Sequence, residues 1–162
     1  MNFSIYKTPF DVVLAYIWTD KGLRKMDFYR DEIEFKQYLK SSSLEYNHER
    51  LVDLEEMLDG YFRGEFTQLD YPLDISGTVF QKKVWETVKR IPYGEVRSYK
   101  WVASEIGNPK AARAVGTAIA HNPAVLIIPC HRVIRNNNSL GRYGRMSWLK
   151  RKLLKLENAR IV

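Results

Sequence analysis

The chain has 162 residues, 45% hydrophobic and 13% aromatic, enough for one ample core or two small ones. No stretch approaches the roughly 18 apolar residues of a membrane span, so no membrane partner is expected, and the start, MNFSIYKTPFDVV, lacks the apolar run and cleavage site of a secretory signal. The net charge of +7 divides sharply: residues 1–75 hold 9 Lys+Arg against 15 Asp+Glu (−6), and residues 76–162 hold 17 against 4 (+13). A half this basic favours a polyanion through screened attraction and counterion release, with a merely solvated face as the plainer reading.

The single cysteine, Cys130, forms no internal disulfide and fits a reducing, cytoplasmic compartment. With only His48, His121 and His131 beside it, no usual zinc-ligand spacing exists, and we expect neither metal nor organic cofactor.

Residues 4–30, SIYKTPFDVVLAYIWTDKGLRKMDFYR, are rich in β-branched and aromatic side chains and are broken by a turn at Asp20-Lys21-Gly22. They predict two or three antiparallel strands. HERLVDLEEMLDGYFRG (48–64) places Leu51, Leu54, Met57, Leu58 and Tyr61 at helical spacing, with acidic residues on the other face. RGEFTQLDYPLDISG (63–77) shows no period and reads as a linker, putting a domain boundary near residue 75.

Helical signals follow. Thr78 and Gln81 have capping-box spacing ahead of Phe80, Val84 and Val88, with Trp85 beside that face, and Ile91-Pro92-Tyr93-Gly94 stops the helix. Ser98 is a good N-cap for YKWVASEIG, whose Val102, Ala103 and Ile106 point one way before Gly107 ends it. Asn108-Pro109 then pairs an N-cap with a first-turn proline, predicting a second helix with Ala112, Val115 and Ile119 buried. Two short helices across a tight turn form a helix-turn-helix pattern, which also occurs in proteins that never touch DNA. The outer side of the second helix carries Lys110 and Arg113 among alanines and a glycine, small residues that allow close approach to a backbone.

AVLIIPCHRVI (124–134) holds the thiol. A free thiol is mostly protonated at neutral pH, and an adjacent base or cation is needed to make it a nucleophile. His131 and Arg132 are the right types, yet sequence neighbours often point apart, and lone cysteines are commonly buried filler. NNNSLGRYGR (136–145) is a polar loop with glycines around Tyr143, suited to closing over a flat ligand or to packing itself. The last helix, SWLKRKLLKLEN, offers Trp148, Leu149, Leu153, Leu154 and Leu156 for burial, followed by Glu157, a carboxylate that would orient an imidazole or lie on the surface.

GTVFQKKVW, IPYGEVRSY, GNPKAARAVG, HNPAVLIIPCHRVI and LLKLE, in this order across residues 77–157, resemble the O6-alkylguanine-DNA alkyltransferases, also called methylated-DNA–protein-cysteine methyltransferases. The resemblance implies an α/β (α+β) chain. A small sheet-plus-helix support domain (1–75) would precede a mostly helical DNA-binding and alkyl-acceptor domain (76–162). It implies a single-use repair protein, acting as a monomer on double-stranded DNA containing O6-alkylguanine, with the lesion flipped out from the minor groove. Cys130 would be the alkyl acceptor, His131 its base through a water, and Glu157 the group orienting His131. Arg113 would be the arginine finger on a DNA-binding surface with Lys110, Ala112 and Gly116. Tyr99 would stack at the flipped phosphate and donate a proton to the leaving guanine. Asn122 would tie the turn before the active-site strand to the helix-turn-helix, with Tyr143, Val133 and Gly144 around the base. Where the family usually has two glycines after the pocket tyrosine, Arg145-Met146 follow Gly144 here, so methyl adducts are the safer expectation than benzyl-sized ones. A silent alkylated-base binder, a helix-turn-helix regulator and a thiol hydrolase or oxidoreductase are the competing classes. Cys130 opposes the first, and the absence of any Cys-x-x-Cys opposes an oxidoreductase.

Overall fold

The computed structural model describes residues 1–42 and 51–160. His48 and the first predicted turn of the 48–64 helix lie outside the described residues.

Two compact units emerge. The first comprises Met1–Ile75 with Pro123–Val125, the second Ser76–Asn122 with Leu126–Val162. In the first, strands β1 (Asn2–Lys7), β2 (Val13–Thr19) and β3 (Gly22–Tyr29) form an antiparallel sheet in the order β1-β2-β3. Strand β2 is buried along almost its whole length because both of its faces are covered. Phe3, Val13, Ala15, Ile17 and Tyr29 meet Phe35 of α1 (Glu32–Lys40). Side chains alternate along a strand, so Tyr16 points the other way, and its hydroxyl donates to Glu55 of α2 (Val52–Phe62) at 2.6 Å.

That bond corrects the acidic face predicted for α2: Glu55 is only 9% exposed, drawn inward by a buried phenol. Helix α1 itself went unassigned, although Asp31 caps it by accepting from the Glu34 amide at 2.8 Å. The 63–77 stretch is not a plain linker either. Leu73 pairs with Leu23, through Leu23 N–H to Pro72 O and Asp74 N–H to Leu23 O, both 2.8 Å. Gly22 permits this approach, since a Cβ there would lie 2.4 Å from the Pro72 oxygen.

The second unit holds α3 (Val79–Lys89), α4 (Tyr99–Glu105), α5 (Ala112–Ala120) and α6 (Ser147–Leu156), with short parallel strands β4 (Arg97–Ser98) and β5 (Val133–Ile134). Thr78 and Gln81 make the full capping box of α3, and the Ser98 side chain caps α4 by accepting from the Trp101 amide. The second helix of the pair starts three residues later than Asn108-Pro109 suggested. Gly107 turns left-handed and the Asn108 amide bonds back to Ala103 O at 2.9 Å, so Asn108 closes α4 instead of opening α5. Lys110 therefore sits in the connecting turn, and Val115, Ala118 and Ile119 form the buried stripe of α5, with Ala112 half-buried.

Tyr16→Phe strands the Glu55 carboxylate away from water without removing packing volume. It should lower unfolding free energy by about 1–3 kcal/mol, seen as a lower urea midpoint with an unchanged slope.

Candidate active site

The thiol segment is positioned by a two-residue ladder. Parallel pairing of Arg97 with Val133 and Ser98 with Ile134 ties the strand that follows the 3-10 turn Cys130–Arg132 to the strand that leads into α4 at Tyr99. Gly116 of α5 faces the same ring, where a Cβ would lie 3.9 Å from Tyr99 carbons in ordinary contact.

Cys130 is 6% exposed, but its surroundings are not simply aliphatic. The Asn122 amide, one residue beyond the α5 cap, donates to Ile128 O at 2.8 Å and to Cys130 Sγ at 2.9 Å. Tyr99 and Lys150 both interact electrostatically with the sulfur. Burial raises the Tyr99 hydroxyl above its ordinary value, and the Cys130 charge adds to that, so it keeps its proton at neutral pH.

His131 is fully buried. Its Nε2 lies 2.7 Å from Glu157 Oε1, while Nδ1 has no hydrogen-bond partner among the described residues. The same carboxylate receives two bonds from Arg132, Nε to Oε2 and Nη2 to Oε1, both 2.9 Å. The remaining guanidinium nitrogen, Nη1, donates to Ile91 O at 2.7 Å. The IPYG stretch thus does more than stop α3. Besides the Ile91 carbonyl it supplies the Tyr93 ring, 5.7 Å from the Arg132 guanidinium, and the Gly94 amide, 3.4 Å from Glu157 Oε2.

Burial alone would push the Glu157 carboxyl up, but the hydrogen bonds from His131 and Arg132 and the Arg132 charge outweigh it and hold it well below the usual range. Burial pushes His131 down, and the opposing pull of Glu157 does not restore it, so the imidazole is neutral at pH 7. With Nε2–H donating to Glu157, Nδ1 is the basic nitrogen.

Two residues were missed or misread from sequence. Arg132, a candidate cation for the thiol by sequence adjacency, addresses Glu157 instead. Nothing in the sequence distinguishes Lys150 from the other cations of α6. It is fully buried, donates to Val133 O, and stands 5.9 Å over the Tyr99 ring. Burial pulls its ammonium down to about 8, against the Cys130 charge, and it is still protonated at pH 7. No local pattern marks either residue, because a lone charge in sequence resembles a solvated one.

Tyr143 is half-buried, its ring 6.5 Å from His131 and perpendicular to it. Gly144, left-handed and exposed, follows it. Arg145 is exposed and Met146 occupies the N-cap position of α6. Arg113 is exposed on α5.

Residues 79–159 match the family model for the 6-O-methylguanine DNA methyltransferase DNA-binding domain. The chain is 40% identical over 159 residues to the methylated-DNA–protein-cysteine methyltransferase of Methanosarcina acetivorans, covering 98% of this chain and 99% of that protein. It is 51% identical over 105 residues to the protein of the same name from Mycobacterium tuberculosis, covering 65% of this chain and 64% of that one. The crystal structure of Mycobacterium tuberculosis OGT in complex with DNA aligns with a TM-score of 0.87 at 35% identity, over 98% of this chain and 93% of that one. This chain belongs to the methylated-DNA–protein-cysteine methyltransferase family, with the mixed α/β fold of those structures.

Arg132→Met should cost about 3–5 kcal/mol of stability by leaving Glu157 buried without its cation, measured by denaturant unfolding. The pH dependence has one sign for both partners. His131 lies below its ordinary 6.5 and Glu157 below its ordinary 4.5 in the folded chain, so the unfolded chain binds more protons as pH falls. Unfolding midpoints should drop as pH falls below about 6.5, and more steeply below about 4.5.

Proposed function

We propose that this chain repairs double-stranded DNA by moving the alkyl group of O6-alkylguanine, chiefly methyl, onto Cys130, once per chain. The carrying observation is the setting of the sulfur. The Asn122 amide lies 2.9 Å from it, and the next two residues are locked to Glu157. An amide donor and a buried ammonium favour the thiolate over the thiol.

In this reading the neutral His131 takes the thiol proton through a bridging water at Nδ1, with Glu157 fixing the tautomer and Arg132 fixing Glu157. The sulfur–carbon bond forms as the carbon–O6 bond breaks. The electron pair leaves on guanine, which takes a proton from Tyr99, so the thiol proton is in effect exchanged for the one gained by the base. A thioether has no easy hydrolytic exit, which makes the reaction single-turnover. No metal or organic cofactor takes part.

A stacked lesion is out of reach of a buried sulfur, so the base must be flipped, at a cost of a few kcal/mol. Helix α5 is the element proposed to enter the minor groove, where shape rather than sequence is read. Arg113 fills the vacated space, Ala112 and Gly116 allow close approach, and Lys110 contacts the backbone from the preceding turn. Tyr143, Gly144 and the Val133 backbone line the base pocket, and Arg145-Met146 favour methyl over bulky adducts. We further propose a cytoplasmic monomer divided into a support domain (1–75) and an acceptor domain (76–162). Among the described residues no helix is long and apolar enough to cross a membrane.

Intact-mass measurement after incubation with O6-methylguanine duplex should show one added methyl group per chain. Cys130→Ser should gain none; a gain there, or none in the wild type, removes the assignment. Arg113→Ala should slow repair in duplex DNA at least tenfold while leaving transfer from the free modified base within about twofold, since the flipping cost of a few kcal/mol applies only to the duplex. Equal losses on both substrates would take the finger role from Arg113. Glu157→Gln should slow transfer without abolishing DNA binding.

A further inference from the structure

Between the turn after β5 and the start of α6 lies an open cavity of about 380 Å³, walled by Arg135, Arg142, Arg151, Ser139, Ser147 and Trp148. All three arginines are exposed, and none forms an ion pair among the described residues. From Glu105 to Glu157 the chain carries ten Lys and Arg and not one intervening Asp or Glu, and Glu157 is itself held by Arg132. The cluster therefore has no carboxylate of its own segment to neutralise it.

Helix α6 begins at this wall with no side-chain cap, so its first-turn amides and positive dipole end add to the same sign. Three arginines lining one small space bring like charges together, and an anion among them relieves the repulsion. Arginine's forked donors suit phosphate oxygens. Trp148, 46% exposed, offers an apolar surface next to them for a sugar or base.

The cavity adjoins the reaction site through Gly141, which also lines it. A Cβ at Gly141 would lie 3.4 Å from the Tyr99 hydroxyl and 3.7 Å from Arg135 Cγ. Tyr99, proposed above to stack at the flipped nucleotide, thus lies next to the rim of the cavity.

We propose that this cavity binds a backbone phosphate of the DNA strand, one outside the nucleotide delivered to Cys130. The proposal rests on the DNA reading above. It commits to a phosphodiester because the cavity is open to solvent, where a lone phosphate is weakly held, whereas a strand delivers its phosphates together.

The test is the salt dependence of binding to a short undamaged duplex, for the wild type and for Arg142→Ala/Arg151→Ala. The slope of log affinity against log salt should become shallower by about 0.9, with roughly eightfold weaker binding at 0.1 M salt. Arg142→Lys/Arg151→Lys should keep most of the slope, because the charges remain. A slope unchanged in the alanine variant overturns the proposal, as does an equal loss in the lysine variant. Inorganic phosphate titrated against tryptophan fluorescence separates the sources. A phosphate-induced change lost in the alanine variant, with DNA slopes coinciding, would assign the cavity to free phosphate and overturn the proposal. Thermal unfolding checks each variant's fold, and Arg151→Gln replaces a double variant that melts early. Absence of methyl gain in the wild type would sink the repair reading and leave the slope result standing.

Discussion

The two-pronged bond between Arg132 and Glu157 is the constraint on which the rest of the second unit depends. Two opposite charges are taken out of water there, a cost recovered only if geometry is good and further hydrogen bonds support the pair. Both conditions hold. Arg132 spends its third nitrogen on the Ile91 carbonyl, and Glu157 accepts from Arg132, faces His131 Nε2, and is approached by the Gly94 amide. The imidazole is thereby fixed in position and tautomer without carrying a charge of its own.

A second buried cation, Lys150, acts on the same segment. Its ammonium is held by the Val133 carbonyl and lies close enough to feel both the sulfur and the Tyr99 ring. The sulfur thus sits among a neutral base, a protonated phenol, an amide and a buried cation. Each of these is supplied by a different segment: the turn at 130–132, the start of α4, the end of α5 and the middle of α6.

Signals that act within four residues were legible in the sequence. The Thr78–Gln81 box, the Ser98 cap and the hairpin at Asp20-Lys21 are all settled by their immediate neighbours. Asn108-Pro109 misled because two local uses compete for one asparagine, and closing α4 after the left-handed Gly107 won over opening α5. Glu55 misled because an acidic residue on a helix reads as solvated until a buried phenol, 39 positions away, is placed against it. Arg132 and Lys150 belong to the same class. Their partners lie 17 to 41 residues distant, and no spacing rule reaches that far. The family resemblance singled out Cys130, His131 and Glu157 where spacing could not, yet it was silent on the guanidinium that holds Glu157.

The span of those contacts bears on how the site comes into being during synthesis. Ile91, Arg132 and Glu157 are drawn from early, middle and late parts of the second unit, so the clasp is completed only by the residue that caps the last helix. A nascent chain that has reached residue 150 holds a cysteine and a histidine but nothing to anchor the imidazole. Assembly of the clasp therefore waits on the residue that closes α6, and the imidazole gains its anchor only when segments 41 and 25 residues away from Arg132 have packed against it.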